Sequence, residues 1–337
     1  MRASLITGLA GTELTPDEAR FLADVQPCGL ILFARNCGSP DQIRRLLLDA
    51  KSAIGTEDVL VLIDQEGGRV RRLMPPQWRA LPSGRAYALL SETSFALAEE
   101  TARQVARLTA ADLKGLGINT NCVPVLDIPA PDSHEIIGDR AYGTTPEAVA
   151  RLGRAVAEGH MAGGVVPVMK HMPGHGRARA DSHLELPVVT ASWAELSATD
   201  FAPFHALKDL PAAMTAHVVF TAVDPDAPAS TSEIVTRNVM RGEIGFDGLL
   251  MSDDLSMKAL SGTMRARAEA VIRAGSDVAL HCNGSLAEME EVASGVPPLT
   301  GQPLSRFERC LAVLPRDEPF DVAEAEAALD RALMATV

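Results

Sequence analysis

The feature that most constrains the fold is an alternation: short, nearly continuous apolar runs, each followed by a stretch with helical periodicity. Eight such runs stand at 4–9 (SLITGL), 29–34 (GLILFA), 59–64 (VLVLID), 118–128 (INTNCVPVLDI), 165–171 (VVPVMKH), 212–220 (AAMTAHVVF), 248–253 (GLLMSD) and 277–282 (DVALHC). They are rich in Val, Ile and Leu and lack a polar face, the mark of parallel strands buried on both sides. The intervening segments carry helix-end chemistry. Thr15-Pro16-Asp17-Glu18 and Thr145-Pro146-Glu147 each supply a cap, a first-turn proline and an acidic residue at the positive helix end. Between 93 and 114, Ala98, Ala102, Val105 and Leu108 form one apolar stripe, which Gly115 and Gly117 then stop. Strand then helix, eight times over, predicts an α/β fold, a single (β/α)₈ TIM-type barrel.

The length of 337 residues fits one such barrel, and no linker, repeat or low-complexity stretch divides it. One catalytic domain over 1–337 is therefore expected. The Pro/Gly-rich segment 295–303 reads as a loop before closing helices at 304–315 and 321–335. A formal net charge of −13 repels phosphate backbones, which argues against nucleic acid as a partner. No apolar run approaches the roughly 18 residues of a membrane span, and the N-terminus lacks signal-peptide character. Five scattered cysteines without CxxC pairs read as reduced thiols of a cytoplasmic protein. Aromatic residues make up only 4%, which disfavours a surface of sugar-stacking platforms and leaves a polar pocket open.

Polar side chains gather at the ends of the apolar runs: Asp64, Asp127, Lys170 with His171, His217, Asp253 with Asp254, and Asn283. In a barrel the C-terminal strand ends converge on the active-site mouth. Any one carboxylate there serves equally as a cap for the next helix, but such groups on six successive strands would line one pocket. The densest segment, KHMPGHGRARADSHLELP at 170–187, holds Lys170, His171, His175, Asp181 and His183. Pro173 ends the strand. Lys170 and His171 would otherwise point to opposite faces, so they share a ligand only if the strand bulges or stops there. Asp181 and His183 lie two apart, near enough for the carboxylate to orient the imidazole for proton transfer. The loop that carries them, between Pro173 and Pro187, has no apolar anchor before Leu184 and is expected to move. In IDQEGGRVRRL (63–73), Gly67-Gly68 permits close approach of a ligand, and Arg69, Arg71 and Arg72 suit hydroxyls or carboxylates. The paired Asp253 and Asp254 close a buried run. One must face the mouth, and periodicity leaves open which. A metal held by His171, His175, Asp181 and His183 is disfavoured, because Lys170 and three arginines would repel a cation.

DQEGGRV (64–70), VPVLDI (123–128), IGDRAYG (137–143), KHMPGHG (170–176), DSH (181–183), MTAH (214–217), GFDG (245–248) and SDDLSM (252–257) together resemble glycoside hydrolase family three. The likeness is to its single-domain β-N-acetylglucosaminidases (β-hexosaminidases) of the NagZ type. Met172 departs from the pattern where the family often has Phe. The resemblance implies that Asp253 is the nucleophile, His183 the general acid/base and Asp181 its dyad partner. It implies sugar-binding roles for Asp64, Arg72, Arg140, Lys170 and His171. Two-domain members draw the acid/base from a second domain; a chain this short leaves that role to the DSH loop. The implied substrate is a small carbohydrate, terminal non-reducing β-linked N-acetylglucosamine on cell-wall (anhydromuropeptide) fragments recycled in the cytoplasm. No cofactor, metal or membrane is implied. Three readings stay open: a retaining hydrolase, a phosphorylase using the same dyad, and a non-catalytic sugar-binding barrel.

Overall fold

The eight apolar runs become eight strands: β1 (Ala3–Gly8), β2 (Pro27–Leu32), β3 (Leu60–Ile63), β4 (Thr120–Asn121), β5 (Val166–Met172), β7 (Ala212–Thr215), β9 (Leu249–Asp254) and β10 (Val278–His281). All eight pair in parallel and close in the order β1-β10-β9-β7-β5-β4-β3-β2, so no strand edge is left unpaired. Two short strands outside the barrel, β6 (Val188–Val189) and β8 (Val219–Phe220), make a separate parallel pair. The computed structural model describes residues 1–131, 135–178 and 185–336. Among these, no helix is long and apolar enough to cross a membrane.

The helix-end chemistry works as its residue types dictate. Thr15 caps Pro16–Val25 in a reciprocal capping box with Glu18, and Thr145 caps Pro146–Ala162 by accepting from the Ala148 N–H. Phe95–Lys114 stops at Gly115, and Gly117 takes the left-handed backbone with φ +87°. Ala98, Ala102, Val105 and Leu108 of that helix are buried against Ala325, Ala328 and Leu329 of the C-terminal helix Val322–Met334.

Side chains alternate across each strand, and here the alternation separates two cores. Leu60 and Leu62 of β3, Val166 and Val168 of β5, and Leu249 and Met251 of β9 join the cluster that fills the barrel. Val61, Ile63, Met169 and Leu250 lie on the other parity and pack outward against helices. Phe307 and Cys310 of Gly301–Leu311 join the barrel cluster, and Arg306 of that helix binds Asp247 and Asp277, just before β9 and β10. That helix closes the N-terminal end. Continuing the inward parity by one step toward the other end reaches Asp64, Lys170 and Asp253. The fold thus hands its mouth three charged side chains where its interior has aliphatic ones.

Several boundaries differ from the sequence reading: the run 212–220, for one, is a barrel strand only to Thr215, and Val219–Phe220 pairs outside the barrel. The run 118–128 holds only a two-residue strand, because Pro124 has no N–H to donate; pairing returns as a bridge between Val125 and Lys170. The helix expected from 93 starts at Phe95, and a separate helix, Gly84–Thr93, precedes it. The segment expected as loop through 303 is helical from Gly301.

Candidate active site

A cavity of about 290 Å³ opens at the C-terminal end of the barrel. Its polar lining comes from Asp64, Glu66, Arg69, Arg72, Arg140, Lys170, His171, His175, Asp253 and Asp254. Phe33, Met214, Met257 and Leu280 supply apolar surface between them.

One wall is a lattice of alternating charges. Lys170 Nζ donates to Asp64 Oδ1 at 2.8 Å and sits 2.7 Å from Glu66 Oε1. Arg140 grips Glu66 with two parallel bonds of 2.8 Å, and Arg72 donates to Asp64 Oδ2 at 2.9 Å. Its guanidinium also stacks over Phe33, 4.9 Å from the ring centre. Arg69 binds Asp139 at 2.8 Å and the carbonyls of Glu135 and Ile136. Burial alone would raise the Asp64 and Glu66 carboxyls. The charges of Lys170, Arg72 and Arg140 outweigh it, holding Asp64 well below the usual range and Glu66 at about 2. Burial likewise works against the charges of Lys170 and Arg140, and their carboxylate partners reverse it, pushing both upward. Asp64, Glu66, Lys170 and Arg140 are therefore charged at neutral pH.

Lys170 and His171 both reach the cavity although they are adjacent, because the pairing of β5 with β7 shifts register between Met169 and Met172. Behind them lies Asp127, fully buried. Its Oδ2 meets His171 Nδ1 at 2.7 Å, and its Oδ1 accepts from the His171 and His175 backbone N–H groups at 3.2 and 2.7 Å. This fixes the His171 ring with Nε2 available on the opposite side. The His175 ring packs edge-on against it, 5.7 Å between centroids. Burial first, and the neighbouring His171 second, pull His175 down to about 4, so it is neutral at pH 7.

The opposite wall carries the two consecutive carboxylates, which differ in what holds them. Asp254 is spent on its own loop and on the turn after β10. Its Oδ1 accepts from the Ser256 and Cys282 N–H groups at 3.0 and 3.1 Å, and its Oδ2 accepts from the Ser256 hydroxyl. Asp253 stands on the inward parity of β9, and its Oδ1 accepts the Asp254 N–H at 2.8 Å.

The cavity thus brings together Asp64, Arg72, Arg140, Lys170, His171 and Asp253. Asp181 and His183, the expected dyad, lie outside the described residues, as do residues 179–184 of the segment expected to move. The six strand ends do not all line the pocket. Asp127 sits behind His171; His217 is buried with both ring nitrogens bonded to protein groups; Asn283 turns away to Glu288. Each side chain there satisfies the nearest backbone or partner first, which strand-end position alone does not reveal. Glu66 is the residue the sequence reading missed. It follows Asp64 by two, so it keeps the inward parity, but it lies past the strand where parity is no guide.

The Glycosyl hydrolase family 3 N terminal domain matches residues 6–305. The chain belongs to glycosyl hydrolase family 3. A β-hexosaminidase from Alkalilimnicola ehrlichii is 40% identical over 283 residues, covering 83% of this chain and 80% of that protein. One from Idiomarina loihiensis is 35% identical over 312 residues and covers 92% of each. Among solved structures, NagZ from Neisseria gonorrhoeae in complex with N-trifluoroacetyl-D-glucosamine superposes with a TM-score of 0.87 at 33% identity, covering all of this chain and 98% of that one. The family 3 β-N-acetylglucosaminidase from Paenibacillus gives 0.86 at 30% identity, covering 98% of this chain and 67% of that one. This family 3 enzyme is accordingly a glycoside hydrolase of the β-hexosaminidase group, built on a closed (β/α)₈ barrel.

Proposed function

We propose that this family 3 hydrolase removes terminal non-reducing β-linked N-acetylglucosamine with retention of configuration, using Asp253 as nucleophile and His183, oriented by Asp181, as acid/base. The observation that carries the reading is the contrast at the end of β9. Asp254 is consumed by Ser256 and Cys282, while Asp253 continues the inward parity into the cavity, facing the charged wall. In the first step Asp253 attacks the anomeric carbon as His183 protonates the leaving oxygen. In the second, His183 takes a proton from water, and that water displaces Asp253. Asp64, Arg72, Arg140, Lys170 and His171 bind sugar hydroxyls. Their mutual ion pairs fix them before substrate arrives, so little ordering remains to be done on binding.

Hydrolysis is favoured over phosphorolysis by the same lattice. Among the described residues lining the cavity, Arg69, Arg72, Arg140 and Lys170 are each already paired with a carboxylate. An incoming phosphate would have to compete with those partners. The relatives named β-hexosaminidase and the neighbour bound to an N-acylated glucosamine support the sugar assignment. The reading extends to cell-wall fragments as the natural substrate and recycling in the cytoplasm as the setting, where five unpaired cysteines would persist as thiols. It takes 1–337 as one catalytic unit, in keeping with the C-terminal helix packed on the barrel's own helices.

The deciding experiment offers the purified protein an aryl β-N-acetylglucosaminide and an aryl β-glucoside, with and without phosphate. Preferential release from the N-acetyl sugar, indifferent to phosphate and with the β-anomer formed first, is expected. Release that requires phosphate would make it a phosphorylase, and no release from either would leave a binding barrel.

A further inference from the structure

MTAH (214–217) is a motif whose histidine the proposed chemistry does not use. His217 follows β7 and is fully buried. Its Nε2 lies 3.0 Å from the Asp254 carbonyl oxygen, and its Nδ1 lies 2.7 Å from Ser230 Oγ. A carbonyl only accepts, so Nε2 carries the proton and donates. Burial disfavours the charged ring more than the nearby Asp253 and Asp254 favour it, so the imidazole is neutral and Nδ1 accepts from the Ser230 hydroxyl. Ser230 is itself buried, and its segment is tied to the His217 segment by the Ala229 N–H to Val218 carbonyl and Ser230 N–H to Ala216 carbonyl bonds. The hydroxyl therefore selects the tautomer, and the tautomer secures the carbonyl.

The carbonyl matters because of its neighbour. Residue 254 is held by His217 at its carbonyl and by Ser256 and Cys282 at its carboxylate, while its N–H donates to Asp253 Oδ1 at 2.8 Å. With the other groups of residue 254 pinned, the direction of that N–H is set. We propose that His217 and Ser230 are a positioning pair for Asp253: they hold the Asp254 carbonyl so that the Asp254 N–H keeps the reacting carboxylate in its attack orientation. This rests on the reading of Asp253 as nucleophile. Neither residue touches substrate, and their effect falls on the chemical step.

The test is steady-state kinetics on an aryl β-N-acetylglucosaminide, with the rate of covalent inactivation by a mechanism-based fluorosugar, for His217→Leu, His217→Gln and Ser230→Ala. Misplacing a reacting group by about an ångström costs on the order of 100-fold, so His217→Leu should lower kcat and the labelling rate about 10- to 100-fold with KM nearly unchanged. His217→Gln, whose amide N–H stands near the Nε2 position, should recover much of the loss. Ser230→Ala should show a smaller drop of the same kind. Wild-type kcat and labelling in His217→Leu, a rise in KM at constant kcat, or a Gln variant no better than Leu would each overturn the proposal. If His217→Leu does not fold, the other two variants decide: a slower labelling rate in Ser230→Ala supports the pair, and wild-type rates in both reject it. Asp253→Ala is measured alongside. If it is inactive while the His217 and Ser230 variants behave as wild type, only the positioning role fails. If it still turns over and takes the label elsewhere, the nucleophile reading fails and the positioning role with it.

Discussion

The two walls of the cavity use the same residue type in opposite ways. On the β3 and β5 side, Asp64 and Glu66 are each wedged between cations, Asp64 with Lys170 and Arg72, Glu66 with Lys170 and Arg140. On the β9 side, Asp253 and Asp254 accept from backbone N–H groups and a serine hydroxyl. A carboxylate locked between two positive charges is stabilised as an anion and makes a poor nucleophile or base. The difference teaches that the ion-pair lattice lies on the wall proposed to hold the sugar, across the cavity from the proposed nucleophile.

The comparison is tested most severely at β9. Asp253→Ala should lose several orders of magnitude in rate, while Asp254→Ala, which frees a loop, should keep considerably more. A mechanism-based fluorosugar should attach to the peptide carrying Asp253. Attachment at Asp254, or release of the inverted anomer, would break the division within that wall.

The segment proposed for proton transfer comes next in size. Removing a general acid/base typically costs on the order of 10²- to 10⁴-fold where protonation is needed. His183→Ala should therefore slow substrates with poor leaving groups by that order and activated aryl glycosides far less, with Asp181→Ala showing a weaker copy of the pattern. Equal slowing of both substrate types would move the role elsewhere, with His175 the first residue to try.

The charged wall should respond more gently and in binding. Arg140→Ala, Lys170→Ala and Asp64→Ala each remove a bond from a charged partner, at about 1–3 kcal/mol per lost bond in kcat/KM. Glu66→Gln should fall in the same range without touching any reacting atom, because it loosens Arg140 and Lys170 together. Wild-type kinetics in all four variants would remove the holding role from this wall.

How far these walls were legible depends on what each position shows at sequence level. Parallel strands buried on both faces write themselves as unbroken apolar runs, so the barrel was plain from eight of them. The same property hid the site's decisive detail. In LLMSDD both faces are apolar, and no residue says which parity is inside until Leu249 and Met251 are seen in the barrel cluster. The run 118–128 looked like a long strand because Pro124 costs only a donor, which composition does not register. Glu66 and Arg140 come from loops far apart in sequence and join through a bidentate bond that neither motif announces. Asp127 and His217 carry residue types suited to a pocket and sit at strand ends, yet the tighter bonds available to them lie behind it.

The smallest effect tests the charged wall by its acidity. Glu66 falls from an ordinary 4.5 to about 2, Asp127 falls from 3.8 to about 2, and Asp64 also lies below its usual range. A carboxyl depressed in the folded state contributes stability that is complete above its unfolded value and is lost as pH falls through the folded one. The window for this wall runs from about pH 4.5 down to about 2. His160 and His175, lowered from 6.5 to about 4 chiefly by burial, act higher up. The unfolded chain binds their protons first, so stability declines as pH falls from 6.5 toward 4. Thermal melting from pH 7 to 2.5 should therefore show a shallow fall in Tm beginning below pH 6.5 and a steeper one below 4.5. Glu66→Gln should start from a lower Tm at neutral pH, flatten the steeper portion and leave the shallow one unchanged. A Glu66→Gln protein whose Tm falls as steeply as wild type below pH 4.5 would mean that the ion-pair lattice does not depress Glu66, and the contrast between the walls would lose its electrostatic basis.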